Sequence, residues 1–126
     1  MTLGEVERIH RILIAEFGGT TGIRDKASLE AALARPFQTF DGNELYPSPI
    51  TKAASLIESI LTNHPFLDGN KRTGYVLMRL FLLSNKLDIK ATQEEKYSFV
   101  MQIANGQIEF EDIVNWLTLH TGTLDK

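Results

Sequence analysis

The sequence predicts an all-α domain, a single compact bundle of about six helices with one long irregular loop before its central pair. Three observations carry this. Apolar residues recur three and four positions apart, the spacing of one helix face, along most of the chain. Most glycines and prolines fall between those stretches rather than inside them. No segment shows the sustained apolar–polar alternation that marks a half-buried strand.

The elements follow in order. Residues 2–17 read as an amphipathic helix with Val6, Ile9, Leu13 and Phe17 near one face. Thr2 and Glu5 form a capping box at its start, and Gly18-Gly19 end it. His10 lies within it and is read as a structural residue. Asp25 caps a short helix over 26–34, with Leu29, Ala32 and Leu33 inward, and Pro36 stops it. Residues 36–49 contain Pro36, Gly42, Pro47 and Pro49 and have no helical period. A connector of that length is often functional. Its Phe37, Phe40, Leu45 and Tyr46 either grip a partner or tether the loop. Ser48 caps the next helix, 48–63, with Pro49 at its first position. A helix over 70–85 is apolar nearly all round, so it is buried. Gly74 within it lets another helix approach closely. Residues 85–91 form a polar link. Thr92 and Glu95 open a helix to Asn105, with Tyr97, Val100, Met101 and Ala104 inward, and Gly106 closes it. A last helix, from about Phe110 to Thr121, buries Ile113, Trp116 and Leu117 and leaves His120 at a frayed end.

Size and charge narrow the function classes. At 126 residues the chain is one domain, 1–126, large enough for a real core. The 13 basic against 16 acidic residues give a net charge of −3, which argues against a dedicated nucleic-acid binder. Without cysteine there is no disulfide framework and no thiol chemistry. Residues 1–7 lack a basic start and a long apolar run, so no secretory signal is expected. The run from Val76 to Leu83 is too short to span a bilayer. A cytoplasmic protein with no membrane contact is the expectation.

The chemistry concentrates between the two central helices, in His64-Pro65-Phe66-Leu67-Asp68-Gly69-Asn70-Lys71-Arg72-Thr73. Pro65 is expected to hold His64 in extended backbone and to end the first helix there. Phe66 plugs the loop into the core. Gly69 permits a backbone angle other residues resist, or close approach of a ligand. A helix opening near Asn70 presents free N–H groups at the positive end of its dipole, beside Lys71 and Arg72, which suits phosphate. Arg72 can hold phosphate through two parallel bonds, whereas Lys71 acts as a point charge. Asp68 supplies a hard oxygen next to that site, as magnesium requires when it shares ligands with substrate phosphates. His64 supplies a base whose ordinary pKa, about 6.5, suits taking a proton from a hydroxyl. Together these describe phosphoryl or nucleotidyl transfer from a nucleoside triphosphate. Taken singly, His64 also reads as a helix C-cap, Asp68 as a turn residue and Arg72 as a solvated cation.

The order His-Pro-Phe-x-Asp-Gly-Asn-Lys-Arg resembles the Fic/Doc signature, His-x-Phe-x-(Asp/Glu)-Gly-Asn-(Gly/Lys)-Arg. The run Gly-Ile-Arg-Asp followed by Leu-Glu-Ala-Ala-Leu-Ala-Arg-Pro is also similar to Doc-type chains. The resemblance implies roles for each position. His64 would activate a Ser, Thr or Tyr hydroxyl on a target protein, and Phe66 would anchor the loop. Asp68 would hold Mg2+ on the phosphates. Gly69, Asn70 and Lys71 would form an anion hole, the Asn70 side chain contributing, and Arg72 would bind phosphate. Residues before the central pair would form a target-pairing flap.

Two departures from the AMP-transferring pattern point to the Doc (death-on-curing) branch. Lys71 stands where those members usually have glycine, and Tyr75 where they have a second arginine. The resemblance then implies a toxin of a toxin–antitoxin pair that passes the γ-phosphate of ATP to a cytoplasmic protein, a translation factor being the expected class of target. AMP transfer and a catalytically silent binding module are the alternatives. The Ser/Thr-x-x-x-Glu-Gly/Asn pattern of a built-in inhibitory helix does not occur in these 126 residues, so restraint is expected from a separate antitoxin.

Overall fold

A computed structural model of the chain describes residues 1–124. Six helices dominate: α1 (Leu3–Phe17), α2 (Lys26–Ala34), α3 (Pro49–Asn63), α4 (Asn70–Ser84), α5 (Gln93–Ala104) and α6 (Phe110–Leu119). A 3-10 turn, Arg35–Phe37, follows α2. The capping signals act where the sequence puts them. Thr2 and Glu5, Ser48 and Thr51, and Thr92 and Glu95 close reciprocal boxes, and Asp25 accepts the Ser28 N–H at 3.0 Å.

Helix α3 is the axis of the fold. Ala53, Ala54, Leu56, Ile57, Ile60 and Leu61 are all buried, so it is covered on nearly every side. It packs against α2, α4, α5 and α6. The rest of the core comes from Val6, Leu29, Leu77, Met78, Leu82, Phe99, Ile103, Ile113 and Leu117. Gly74 brings α4 close to α3: a Cβ there would lie 3.1 Å from Leu61 Cδ2 and 3.3 Å from Ile60 Cγ2. The two central helices are thus held in tight contact, which fixes the loop between them.

Several helix faces differ from the sequence expectation. On α1 the buried line is Val6, His10 and Ile14, and Phe17 is 57% exposed. On α5 the buried pair is Phe99 and Ile103, and Tyr97 is 69% exposed. Two residues along a helix turn about 200°, so burying Phe99 points Tyr97 away. Trp116 is half-buried, stacked between Phe99 and His120 at 3.9 and 4.1 Å. His120 is not frayed; it is the C-cap of α6, and its Nδ1–H donates to the Trp116 carbonyl at 2.8 Å.

Two small sheets modify the all-α expectation. β1 (Thr39–Phe40) and β2 (Asn43–Glu44) form a hairpin in the loop before α3. Asp41 and Gly42 take φ of 53° and 80°, the pair of left-handed residues that a two-residue hairpin turn demands. β3 (Leu87–Ile89) and β4 (Thr121–Thr123) pair antiparallel and tie the chain after α4 to the chain after α6. The link at 85–91 is therefore partly a strand. Arg79 grips Asp88 with two bonds, 2.8 and 3.0 Å, at its base.

The hairpin's aromatics divide their roles. Tyr46 tethers: its hydroxyl accepts from Arg35 Nε at 2.9 Å and its ring packs edge-on against Phe110 at 5.5 Å. Arg35 also pairs with Glu58 of α3 at 2.9 Å, and Lys52 bonds Glu44 and the Tyr46 carbonyl. Phe40 and Leu45 are exposed at the tip and flank.

Four carboxyls are held below their ordinary pKa. Backbone N–H bonds do this for Glu5 (from Thr2), Asp25 (from Ser28) and Glu95 (from Thr92), and the Arg79 bond does it for Asp88. A carboxyl whose folded pKa is depressed adds stability above its unfolded value and loses it as pH falls through the folded value. The melting temperature is therefore expected to be flat from about pH 7 to 5 and to fall below about pH 4. Thermal unfolding followed by circular dichroism checks this; a melting temperature unchanged down to about pH 3 contradicts it.

Candidate active site

The loop between α3 and α4 is held rigid by partners far away in sequence. Helix α3 ends on His64, whose N–H reaches the Ile60 carbonyl at 3.1 Å. His64 is not extended as Pro65 suggests: it sits in the left-handed region at φ 48°, ψ 60°. That conformation also avoids the right-handed helical region disfavoured before proline, and histidine is among the residues that adopt it most readily. The Arg24 guanidinium, from the segment before α2, supports the turn by donating to the carbonyls of His64 at 2.7 Å and Asn63 at 2.5 Å.

Residues 22–25 then run beside the loop as a brace. The N–H groups of Arg24 and Asp25 donate to the Pro65 carbonyl at 2.7 and 3.0 Å, and Leu67 N–H to the Gly22 carbonyl at 3.0 Å. Ile23 and Phe66 form a single antiparallel bridge. Gly22 takes a φ of 126°, a conformation that residues with a side chain rarely adopt. Phe66 is 1% exposed and stacks on the His10 ring at 4.0 Å.

The Asn70 side chain is bonded to the backbone of Phe66. Its Oδ1 accepts the Phe66 N–H and its Nδ2 donates to the Phe66 carbonyl, both at 3.0 Å. It staples the loop to the start of α4. The carbonyls of residues 64, 65, 66 and 68 and the N–H groups of 66 and 67 all have protein partners. Such a loop is preorganised, and a ligand has little ordering left to do.

The exposed groups form the working surface. Asp68 accepts N–H bonds from Gly69 at 2.9 Å and Thr20 at 3.1 Å. Gly19 gives it room, since a Cβ there would stand 2.8 Å from Asp68 Oδ2. Gly69, at φ 72°, is the N-cap of α4, and no side chain caps that helix. Its first-turn N–H groups are available to an anion. Lys71 and Arg72 are exposed and enter no ion pair among the described residues. The Arg72 guanidinium lies over the Phe17 ring, 4.1 Å from its centre. His64 is exposed at the opposite end of the loop.

These residues fit a magnesium ion that shares its ligands with phosphates. Asp68 is a single hard oxygen donor beside uncapped N–H groups, and no three His, Asp or Glu side chains cluster among the described residues to build an all-protein metal cage. Asp68 would hold the ion, which would offset phosphate charge.

A cavity of about 520 Å3 lies elsewhere, among Ile9, Leu33, Phe37, Leu56 and Phe81, and includes no motif residue. A smaller one of about 240 Å3 adjoins the back of the loop at His10, Gly22 and Phe66. Because the charged and titratable motif groups lie on an open surface, chemistry rather than cavity size identifies the site. Sequence reasoning missed His10, Phe17, Thr20 and Arg24. The one available signal was His10 between Val6 and Ile14 on an otherwise apolar face.

No helix among the described residues is long and apolar enough to cross a membrane. The Fic/DOC family model matches residues 1–82, which covers α1 to α3, the whole motif and most of α4. The chain is also similar to a protein named Toxin Doc from Mycolicibacterium smegmatis (strain ATCC 700084 / mc(2)155), 43% identical over 75 residues. That alignment spans 60% of this chain and 58% of the relative. A filled His-x-Phe-x-Asp-Gly-Asn-Lys-Arg motif, a family match across the helices that carry it and a relative of the Doc branch lead to one conclusion: this chain belongs to the Fic/DOC family.

Proposed function

We propose that this protein is a Doc-like toxin that transfers the γ-phosphate of ATP, with Mg2+, to a Ser or Thr hydroxyl of a cytoplasmic protein. The observation that carries the reading is the pairing of an uncapped α4 N-terminus with a guanidinium held by an aromatic ring instead of a carboxylate. An Arg without an acidic partner keeps its fork of donors for phosphate oxygens. His64 is the base: it takes the hydroxyl proton as that oxygen bonds to phosphorus and ADP departs. The N–H groups of the first α4 turn, with Lys71 and Arg72, hold the phosphate charge. Mg2+, when bound by Asp68, adds charge neutralisation across the phosphates.

Phosphate rather than AMP transfer is supported by what α4 lacks. Tyr75 replaces a second clamp, and the next arginine, Arg79, is engaged by Asp88. Lys71 adds bulk and charge where a glycine would admit more phosphate. The name of the M. smegmatis relative, Toxin Doc, supports the toxin reading. A separate antitoxin as its restraint and a translation factor as the class of target belong to the proposal.

The test uses ATP labelled at the γ or the α phosphate, incubated with the protein, Mg2+ and a desalted cell extract. Label on a protein band from the γ position alone is the expected result. Label from the α position alone overturns the kinase reading in favour of AMP transfer. No protein label from either leaves the silent binding module as the better account.

A further inference from the structure

Helix α1 presents His10, Ile14 and Phe17 at offsets of four and seven, one line along one face. Each meets a different part of the motif. His10 Nε2–H donates to the Asp68 carbonyl at 2.8 Å. Ile14 Cδ1 lies 3.1 Å from where a Gly69 Cβ would be, so it sets the floor under the α4 N-cap. Phe17 carries the Arg72 guanidinium. We infer that α1 is the template on which the anion site is set, with His10 a positioning residue for Asp68 and Phe17 a positioning residue for Arg72. This rests on the reading of Asp68 and Arg72 as the metal- and phosphate-handling groups.

The His10 ring is 2% exposed and fixed in two directions. Phe66 sets its plane, stacked within 10°, and the Asp68 carbonyl sets the direction of its N–H. A buried polar ring needs a partner, and the bonded one is the main chain of the residue whose carboxylate faces Thr20. Fixing that carbonyl fixes the 68–69 peptide plane, and with it the start of α4. Phe17 is half exposed, so packing does not account for an aromatic there. A guanidinium stacked on a ring keeps its in-plane N–H donors free. Phe17 thus aims Arg72 without consuming its hydrogen bonds.

The two arms predict different metal dependence. Binding of ATP is measured by calorimetry with Mg2+ and again with EDTA, for wild type, His10→Leu, His10→Gln, Phe17→Leu and Phe17→Tyr. His10→Leu removes the donor but keeps apolar volume, and is expected to weaken Mg2+-dependent binding by about tenfold or more. Metal-free binding is expected to fall by less, since the Asp68 carboxylate acts through the metal. His10→Gln, which restores an N–H donor, recovers most of the loss. Phe17→Leu is expected to weaken binding by about two- to fivefold with or without Mg2+, and Phe17→Tyr to restore it. Melting temperature separates packing from positioning. His10→Leu that lowers the melting temperature yet binds Mg2+ and ATP like wild type overturns the His10 arm. Phe17→Leu that binds like wild type overturns the Phe17 arm, and this exposed position stays informative if His10→Leu does not fold. A wild type that binds no ATP in either buffer overturns the proposed function and this inference with it; a wild type that binds while all four variants match it overturns the inference alone.

Discussion

Replacing His64 is expected to lower transfer by about 10²- to 10⁴-fold, the usual contribution of a general base. No other base lies in the motif, and His10 is buried against the Asp68 carbonyl. The choice of replacement matters, because His64 is left-handed at φ 48°. Alanine there adds backbone strain on the order of 1 kcal/mol, which confounds a simple reading. Asparagine tolerates the left-handed region and has no titratable base, so His64→Asn isolates the chemistry. Its melting temperature is expected to match wild type, since the His64 side chain is exposed and has no hydrogen-bond partner among the described residues. Single-turnover transfer of γ-label, with melting as control, measures both. Transfer by His64→Asn at the wild-type rate would remove His64 as the base. ATP binding is expected to persist in the variant, because the groups proposed to hold phosphate lie at the other end of the loop.

The motif was legible because its chemistry is local. Helix ends, caps and the positions of His64, Asp68 and Arg72 follow from residues within a few positions of one another. What the sequence hid is long-range. Arg24 reaches His64 across 40 positions and His10 reaches Asp68 across 58, and neither leaves a mark in local pattern. His10 occupies an apolar line because its ring stacks on Phe66, a partner that helical periodicity cannot name. The β3–β4 pair was hidden for the same reason: three-residue strands more than thirty positions apart have no hairpin signal. The Asp41-Gly42 turn was different; its two left-handed residues are a recognised hairpin cue that the surrounding prolines masked. The exposed Tyr97 shows the limit of periodicity itself. Helix α5 carries apolar residues at 97, 99, 100, 101 and 103, enough to draw more than one face. Only contact with α3 and the α6 ring of Trp116 selects Phe99 and Ile103.

Phe66→Ala is expected to cost about 3–5 kcal/mol, the range for a buried phenylalanine. Phe66 is 1% exposed and joins the core through its ring, while its N–H and carbonyl are both held by Asn70. Truncation would leave a cavity beneath the loop and strip the His10 ring of its stacking face. For a domain of this size the loss corresponds to a fall in melting temperature of roughly 10–20 °C. Phe66→Leu fills most of the volume and is expected to fall by clearly less, because volume-conserving changes cost under about 1.5 kcal/mol in favourable cases. The comparison has a functional consequence. The Asn70 staple depends on backbone atoms of Phe66, not on its ring, so Phe66→Leu should keep the loop closed and retain ATP binding. Thermal melting and calorimetry on both variants read the two effects apart. A Phe66→Ala protein melting within about 2 °C of wild type would mean that the loop is not anchored through this ring, and that the Asn70 staple and the brace at residues 22–25 hold it.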